Sequence, residues 1–187
     1  MVAILRKIYS FLIDIIQSLL VAAAIFLVIY IFIARPFQVN GESMFPNFED
    51  KEYVLTNLIS ERFANPKKGD VIVFKAPLDP EKDYIKRVIG VPGDKVMVKD
   101  GKVYLNGQML DESSYINPSV KTFGGSFMAE GVEITVPKDS FFVLGDNRQY
   151  SSDSREWGYV SKSLIIGDSL FVYWPPGKMR GVKNPYN

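Results

Sequence analysis

The stretch KVMVKDGKVYLNG, residues 95–107, decides how this chain is read. Lys95–Lys99 and Lys102–Leu105 flank Asp100-Gly101, a pair that accepts the positive φ angles of a tight primed turn, so the segment predicts a hairpin. Asn106-Gly107 repeats the signal and extends it to a meander. Upstream, Asp83–Ile89 alternates and ends in the turn cluster Gly90-Val-Pro-Gly-Asp94, while Asp70–Lys75 is a short apolar strand entered through Lys68-Gly69. Downstream, residues 111–131 hold Ser, Asn, Pro and Gly with little periodicity and read as a long loop. Val132–Val136 alternates again, Ser140–Leu144 runs apolar into Gly145-Asp146, and Ile165–Trp174 is a further apolar strand. Many short strands with frequent turns predict a mainly β domain, with no long amphipathic helix and no repeat.

In front of this domain lies SLLVAAAIFLVIYIFIA, residues 18–34, which extends back to Phe11. About 20 residues cross a bilayer core, so residues 11–34 predict one transmembrane helix. Arg6 and Lys7 precede it; Glu42, Glu49, Asp50 and Glu52 follow Arg35-Pro36. The positive-inside rule then makes residues 1–10 a cytoplasmic N-terminus and residues 35–187 an extracytoplasmic domain. A cleaved signal peptide is the competing reading, but its apolar core would be shorter, about 7–15 residues, and no clear cleavage site follows the run. Asp14 lies near the cytoplasmic end and is given no role. Pro36 suits the exit of the helix.

Composition narrows the chemistry. Lys and Arg total 22 and Asp and Glu 21, which gives no electrostatic footprint for nucleic acid. The chain has no Cys and no His. That excludes disulfides, thiol nucleophiles, His- or Cys-ligated zinc and any triad built on histidine.

A serine nucleophile would therefore need another base. Lysine serves if desolvation populates its neutral form. In Asp83–Ile89, Lys86 shares a strand face with Tyr84 and Val88, an environment that could strip water from its amine. Strand pattern alone favours the plainer alternative, a strand-edge lysine whose stem lies on apolar surface while its charge reaches water. The polar segment Gly145–Gly158 follows an apolar strand. An Asp-Arg pair there could fix a loop, and a serine hydroxyl could orient a lysine amine; the alternative is an ordinary solvated turn. No phosphate-binding loop or EF-hand pattern is present.

Four blocks occur in order: Gly41-Glu-Ser-Met-Phe-Pro46, Gly69-Asp-Val-Ile-Val-Phe74, Tyr84-Ile-Lys-Arg-Val-Ile-Gly-Val-Pro-Gly-Asp94, and Gly145 through Gly158. With the apolar span in front, they resemble a bacterial type I signal peptidase, the serine/lysine membrane protease that removes signal peptides, in its single-span Gram-positive form. The resemblance implies antiparallel β-sheets, Ser43 as nucleophile and Lys86 as general base. It implies that Ser151 orients the lysine amine, that Asp153 and Arg155 form an ion pair, and that Gly145 lies beside the pocket. It also implies that Phe37, Val39, Met44, Tyr84 and Ile85 line shallow pockets for small side chains. The partners implied are signal-peptide-bearing preproteins and membrane lipid, with a secretion translocon nearby; no metal or organic cofactor is implied. One departure stands out. Some members carry a hydroxyl residue two positions before the nucleophile to bind the oxyanion, and here that position is Gly41. A non-catalytic anchored β domain, or a self-cleaving serine/lysine repressor, remains the alternative on residue pattern.

Overall fold

The computed structural model describes residues 2–59 and 64–186; Met1, residues 60–63 and Asn187 of the expected segments lie outside the described residues. Helix α1, Val2–Val28, continues through a π-helical turn, Ile29–Ile33. Ile4–Ile33 is 30 residues long, with mean hydropathy 2.7, and none of its residues is buried among the described residues. At helical rise that is about 45 Å, more than a bilayer core of about 30 Å requires. The expected span of residues 11–34 lies within this longer helix, apart from its last residue. Ala34 is the first residue of strand β1, Ala34–Gln38, so no loop separates helix from sheet.

Beyond it come β2 (Tyr53–Asn57), β3 (Val71–Ala76), β4 (Asp79–Gly90), β5 (Lys95–Lys99), β6 (Lys102–Leu105) and β7 (Gln108–Met109). They are followed by β8 (Ile134–Thr135), β9 (Ser140–Leu144), helix α2 (Ser154–Trp157), β10 (Val160–Ser161), β11 (Ile165–Trp174) and β12 (Arg180–Gly181). An eight-stranded sheet runs β1-β2-β11-β3-β4-β9-β10, with β12 also on β11; a four-stranded sheet runs β7-β6-β5-β8. The pairings are antiparallel. The domain is therefore mainly β behind one apolar helix, as the sequence predicts.

The decisive hairpin folds as read. Asp100 and Gly101 take φ of 53° and 77°, and Val98 pairs with Val103 across the turn. Both central residues need positive φ, which Asp and Gly supply at low cost. Asn106 and Gly107 repeat the geometry and turn the chain into β7. Val96, Val98, Val103 and Leu105 from this sheet pack against Ile89, Phe142 and Leu144 from the large one, so one apolar cluster joins the two sheets.

Three expectations change. Strand formation in 132–136 is confined to Ile134–Thr135, which pairs with β5. The strand expected over 83–89 begins earlier, at Asp79. Pro36 lies not at the helix exit but inside β1, which pairs with β2 alone among the described strands, an edge position that tolerates a missing N–H. The long loop 111–131 carries no strand or helix, as expected.

Candidate active site

Lys86 lies on β4, between β3 and β9, paired opposite Ile72. This central position corrects the strand-edge expectation. The residue is only 4% exposed. Its Nζ is 2.7 Å from Ser43 Oγ and donates to the Ile85 carbonyl at 2.9 Å, over the Tyr84 ring at 5.3 Å. Burial pushes the Lys86 amine down to about 8, against the smaller opposing pull of the Asp153 and Asp146 charges. Desolvation penalises the ammonium form, and these carboxylates are too weakly coupled to restore it.

Ser43 occupies the turn after β1. Gly41 enters that turn at φ 90°, its N–H donating to Asp50 Oδ1 at 2.7 Å. Phe45 N–H closes the turn onto the Glu42 carbonyl at 3.0 Å. A hydroxyl residue at 41 would have open space for its side chain but a backbone angle that L residues disfavour.

The segment after β9 closes over this turn, and Arg–carboxylate pairs hold it. Arg155 donates twice to Asp153, 2.8 Å to each oxygen, and Asp153 also accepts from Gly145 N–H at 3.0 Å. Asp153 caps α2 by accepting from Arg155 N–H. Arg87, the residue after Lys86, donates to both oxygens of Asp146 at 2.8 and 2.7 Å. Arg148 pairs with Glu112 and donates to the Gly145 carbonyl at 3.0 Å. The first pair was predicted; the other two were not. The adjacent Lys86-Arg87 in a strand, with Asp146 and Arg148 in the polar segment, was the signal available.

Gly145 sits where a side chain has no room. A Cβ there would come within 2.1 Å of Ser151 Oγ and 2.4 Å of the Ser43 carbonyl oxygen. Ser151 Oγ is buried and has no hydrogen-bond partner among the described residues, so the serine expected to orient the lysine amine does not bond to it.

A groove of about 210 Å³ opens beside Ser43 and Lys86. Phe37, Tyr84 and Ile85 line it, joined by Gln38, Asn40, Val54, Val73, Asp83 and Ser152, which the sequence did not single out. Val39 and Met44 do not line it. They are buried beneath, in the cluster with Phe48, Val54, Val71 and Val172. A buried lysine of lowered pKa touching a serine hydroxyl, next to a groove with apolar walls, is an arrangement suited to nucleophilic attack on a bound peptide.

The family described as signal peptidase, peptidase S26, matches residues 12–174. Signal peptidase IB of Staphylococcus aureus (strain Mu50) is 37% identical over 181 residues, covering 91% of this chain and 93% of that protein. Signal peptidase I of Leptolyngbya laminosa is 38% identical over 156 residues, covering 79% of this chain and 72% of that one. A crystal structure of a signal peptidase I from Enterococcus faecalis V583 superposes with a TM-score of 0.46 at 30% identity, covering 56% of this chain and 96% of that one.

Proposed function

Since this chain belongs to the signal peptidase family, peptidase S26, we propose that it is a membrane-bound serine endopeptidase that removes signal peptides from exported preproteins with a Ser43/Lys86 dyad. The observation that carries the dyad is the 2.7 Å contact between Ser43 Oγ and the buried Lys86 Nζ. With the amine pushed down to about 8, a useful fraction is neutral near pH 7, and it can accept a proton.

In this reading neutral Lys86 takes the Ser43 proton as Oγ attacks the scissile carbonyl. The resulting ammonium returns the proton to the departing amine, and an acyl-enzyme remains. Lys86 then activates a water to release the signal peptide. Ser43 N–H is one donor to the oxyanion. Gly41 supplies no hydroxyl, so a second donor would be water or another backbone group; a single lost donor typically costs about 2.7–4 kcal/mol. Phe37, Tyr84 and Ile85 would receive small side chains before the cut, while Val39 and Met44 support them from below. Ser151 would turn its free hydroxyl to the amine when substrate displaces the present contacts.

The apolar helix is the proposed anchor, with residues 1–10 cytoplasmic, residues 11–34 in the bilayer and residues 35–187 outside. The basic flank before it and the acidic flank after it support that direction. Membrane lipid and the emerging preprotein would then meet at the outer face, close to the translocon.

The test is cleavage of a signal-bearing preprotein by the purified full-length protein in lipid, comparing wild type with Ser43→Ala. Wild type should cut after a small residue, and the folded variant should not. A wild type that cuts no preprotein would leave an anchored binding module as the better reading.

A further inference from the structure

The nucleophile's backbone is held by a residue that takes no part in the proposed proton transfer. Asn147 reaches across from the segment after β9 and grips both peptide units that flank Ser43. Its side-chain Nδ2 donates to the Glu42 carbonyl at 3.0 Å, and its main-chain N–H donates to the Ser43 carbonyl at 3.1 Å. The Glu42 carbonyl also accepts Phe45 N–H at 3.0 Å, so both of its lone pairs are used.

A trans peptide is planar, with its C=O and N–H pointing in opposite directions. Fixing the Glu42 carbonyl therefore fixes the direction of the Ser43 N–H. That N–H has no protein acceptor among the described residues, so it is free to donate to a ligand. Gly41 nearby offers no hydroxyl, which puts more of the oxyanion's stabilisation on the Ser43 main-chain donor. Gly145 lets the two segments approach closely enough for the grip, since any side chain there would strike the Ser43 carbonyl.

We propose that Asn147 is a positioning residue for catalysis: by clamping the Glu42–Ser43 peptide it aims the Ser43 N–H at the developing oxyanion. The inference rests on the serine-peptidase reading above. It differs from a loop-holding role, which the Arg–carboxylate pairs of the same segment already fill. A donor that is mis-aimed costs the transition state more than the ground state, because the negative charge is present only in the former.

The experiment uses full-length protein in lipid with a cleavable preprotein. Asn147→Leu keeps the approximate side-chain shape and removes the donor; Asn147→Ser is the second variant, for use if the first does not fold. The expected result is a fall in kcat of roughly ten- to a hundredfold with KM within about twofold of wild type. A peptide boronic acid, whose serine adduct is tetrahedral, should lose affinity by a similar factor, while an uncleavable peptide of the same sequence should not. The pH at which activity rises should not move, because the lysine is untouched. Unchanged kcat in a folded variant overturns the inference, as does a loss that appears in KM alone or shifts the pH profile. A wild type that never cuts overturns the underlying reading along with it; a wild type that cuts beside an equally fast Asn147→Leu overturns this inference only.

Discussion

Lys86 and Arg87 follow one another along β4 and are equally withdrawn from water, at 4% and 3% exposure, yet the two faces of the strand treat them differently. The lysine meets a serine hydroxyl and a carbonyl, with no carboxylate in salt-bridge contact among the described residues. The arginine meets Asp146 through two parallel hydrogen bonds. Burial drives the Lys86 amine down to about 8. Burial works against the Arg87 charge too, but the hydrogen bonds and charge of Asp146 outweigh it and hold the guanidinium above its ordinary value. The difference teaches what a buried cation is for. Left without a counterion it is a base in waiting; given a bidentate carboxylate it is a fastening.

The contrast breaks most sharply at Lys86 itself. Lys86→Met should lower cleavage by about 10²–10⁴-fold, the range general-base removal usually gives. It should not lower stability at pH 7. An amine moved from 10.5 to about 8 binds fewer protons folded than unfolded between those values, so wild-type stability rises with pH across that window. Below it the buried ammonium costs up to about 3 kcal/mol, which methionine avoids. Denaturant unfolding at pH 7 and pH 10 should show the variant at or above wild type, with the gap narrowing at the higher pH. A variant that unfolds more easily at pH 7 would refute the unpaired-charge account.

Asp146→Ala attacks the other face. It leaves Arg87 buried without its carboxylate and should cost about 3–5 kcal/mol of stability, read as a lower thermal midpoint. Replacing Arg87 by Met in the same chain should restore part of that loss. If Asp146→Ala alone is near neutral, the pair is not a fastening.

A smaller effect sharpens the comparison without mutation. The kcat/KM of wild type should climb about tenfold from pH 7 to a plateau above the lysine value, since only the neutral amine accepts the proton. A flat profile over that range would mean that Lys86 is not the base. The smallest effect lies far from both residues. Gly101→Ala places a side chain at φ 77° in the β5–β6 turn, costing about 1–2 kcal/mol while leaving kcat/KM unchanged.

Where local chemistry dominates, the chain could be read directly. Asp100-Gly101 between two short runs can hardly form anything but a hairpin, and residues 140–144 and 165–174 became strands with the expected bounds. Strands β1 and β2 were not legible. The first is continuous with the apolar helix and contains a proline, and the second is a short run with no turn dipeptide beside it. The site was legible as residue types only. That the chain needed a base other than histidine followed from composition; that Lys86 is buried depends on β3 and β9 flanking β4, which no alternation pattern reports. The pairing of Lys86 with Ser43, 43 positions away, came from the resemblance of ordered motifs. Val39 and Met44 went beneath the groove instead of into its wall, because the turn after β1 folds inward onto Val54 and Val172.

The join between helix and sheet has a consequence of its own. Ile33 passes directly into β1, its carbonyl accepts Leu58 N–H at 2.8 Å, and Arg35 Nε donates back to Tyr30 at 3.2 Å. A slack tether would let the domain roam over the lipid and sample peptides at any height. If the helix spans the bilayer as proposed, a braced stem would act as a depth gauge: it would set how far from the lipid the groove is held, so that a bond would be selected by its elevation above the membrane as well as by the side chains around it.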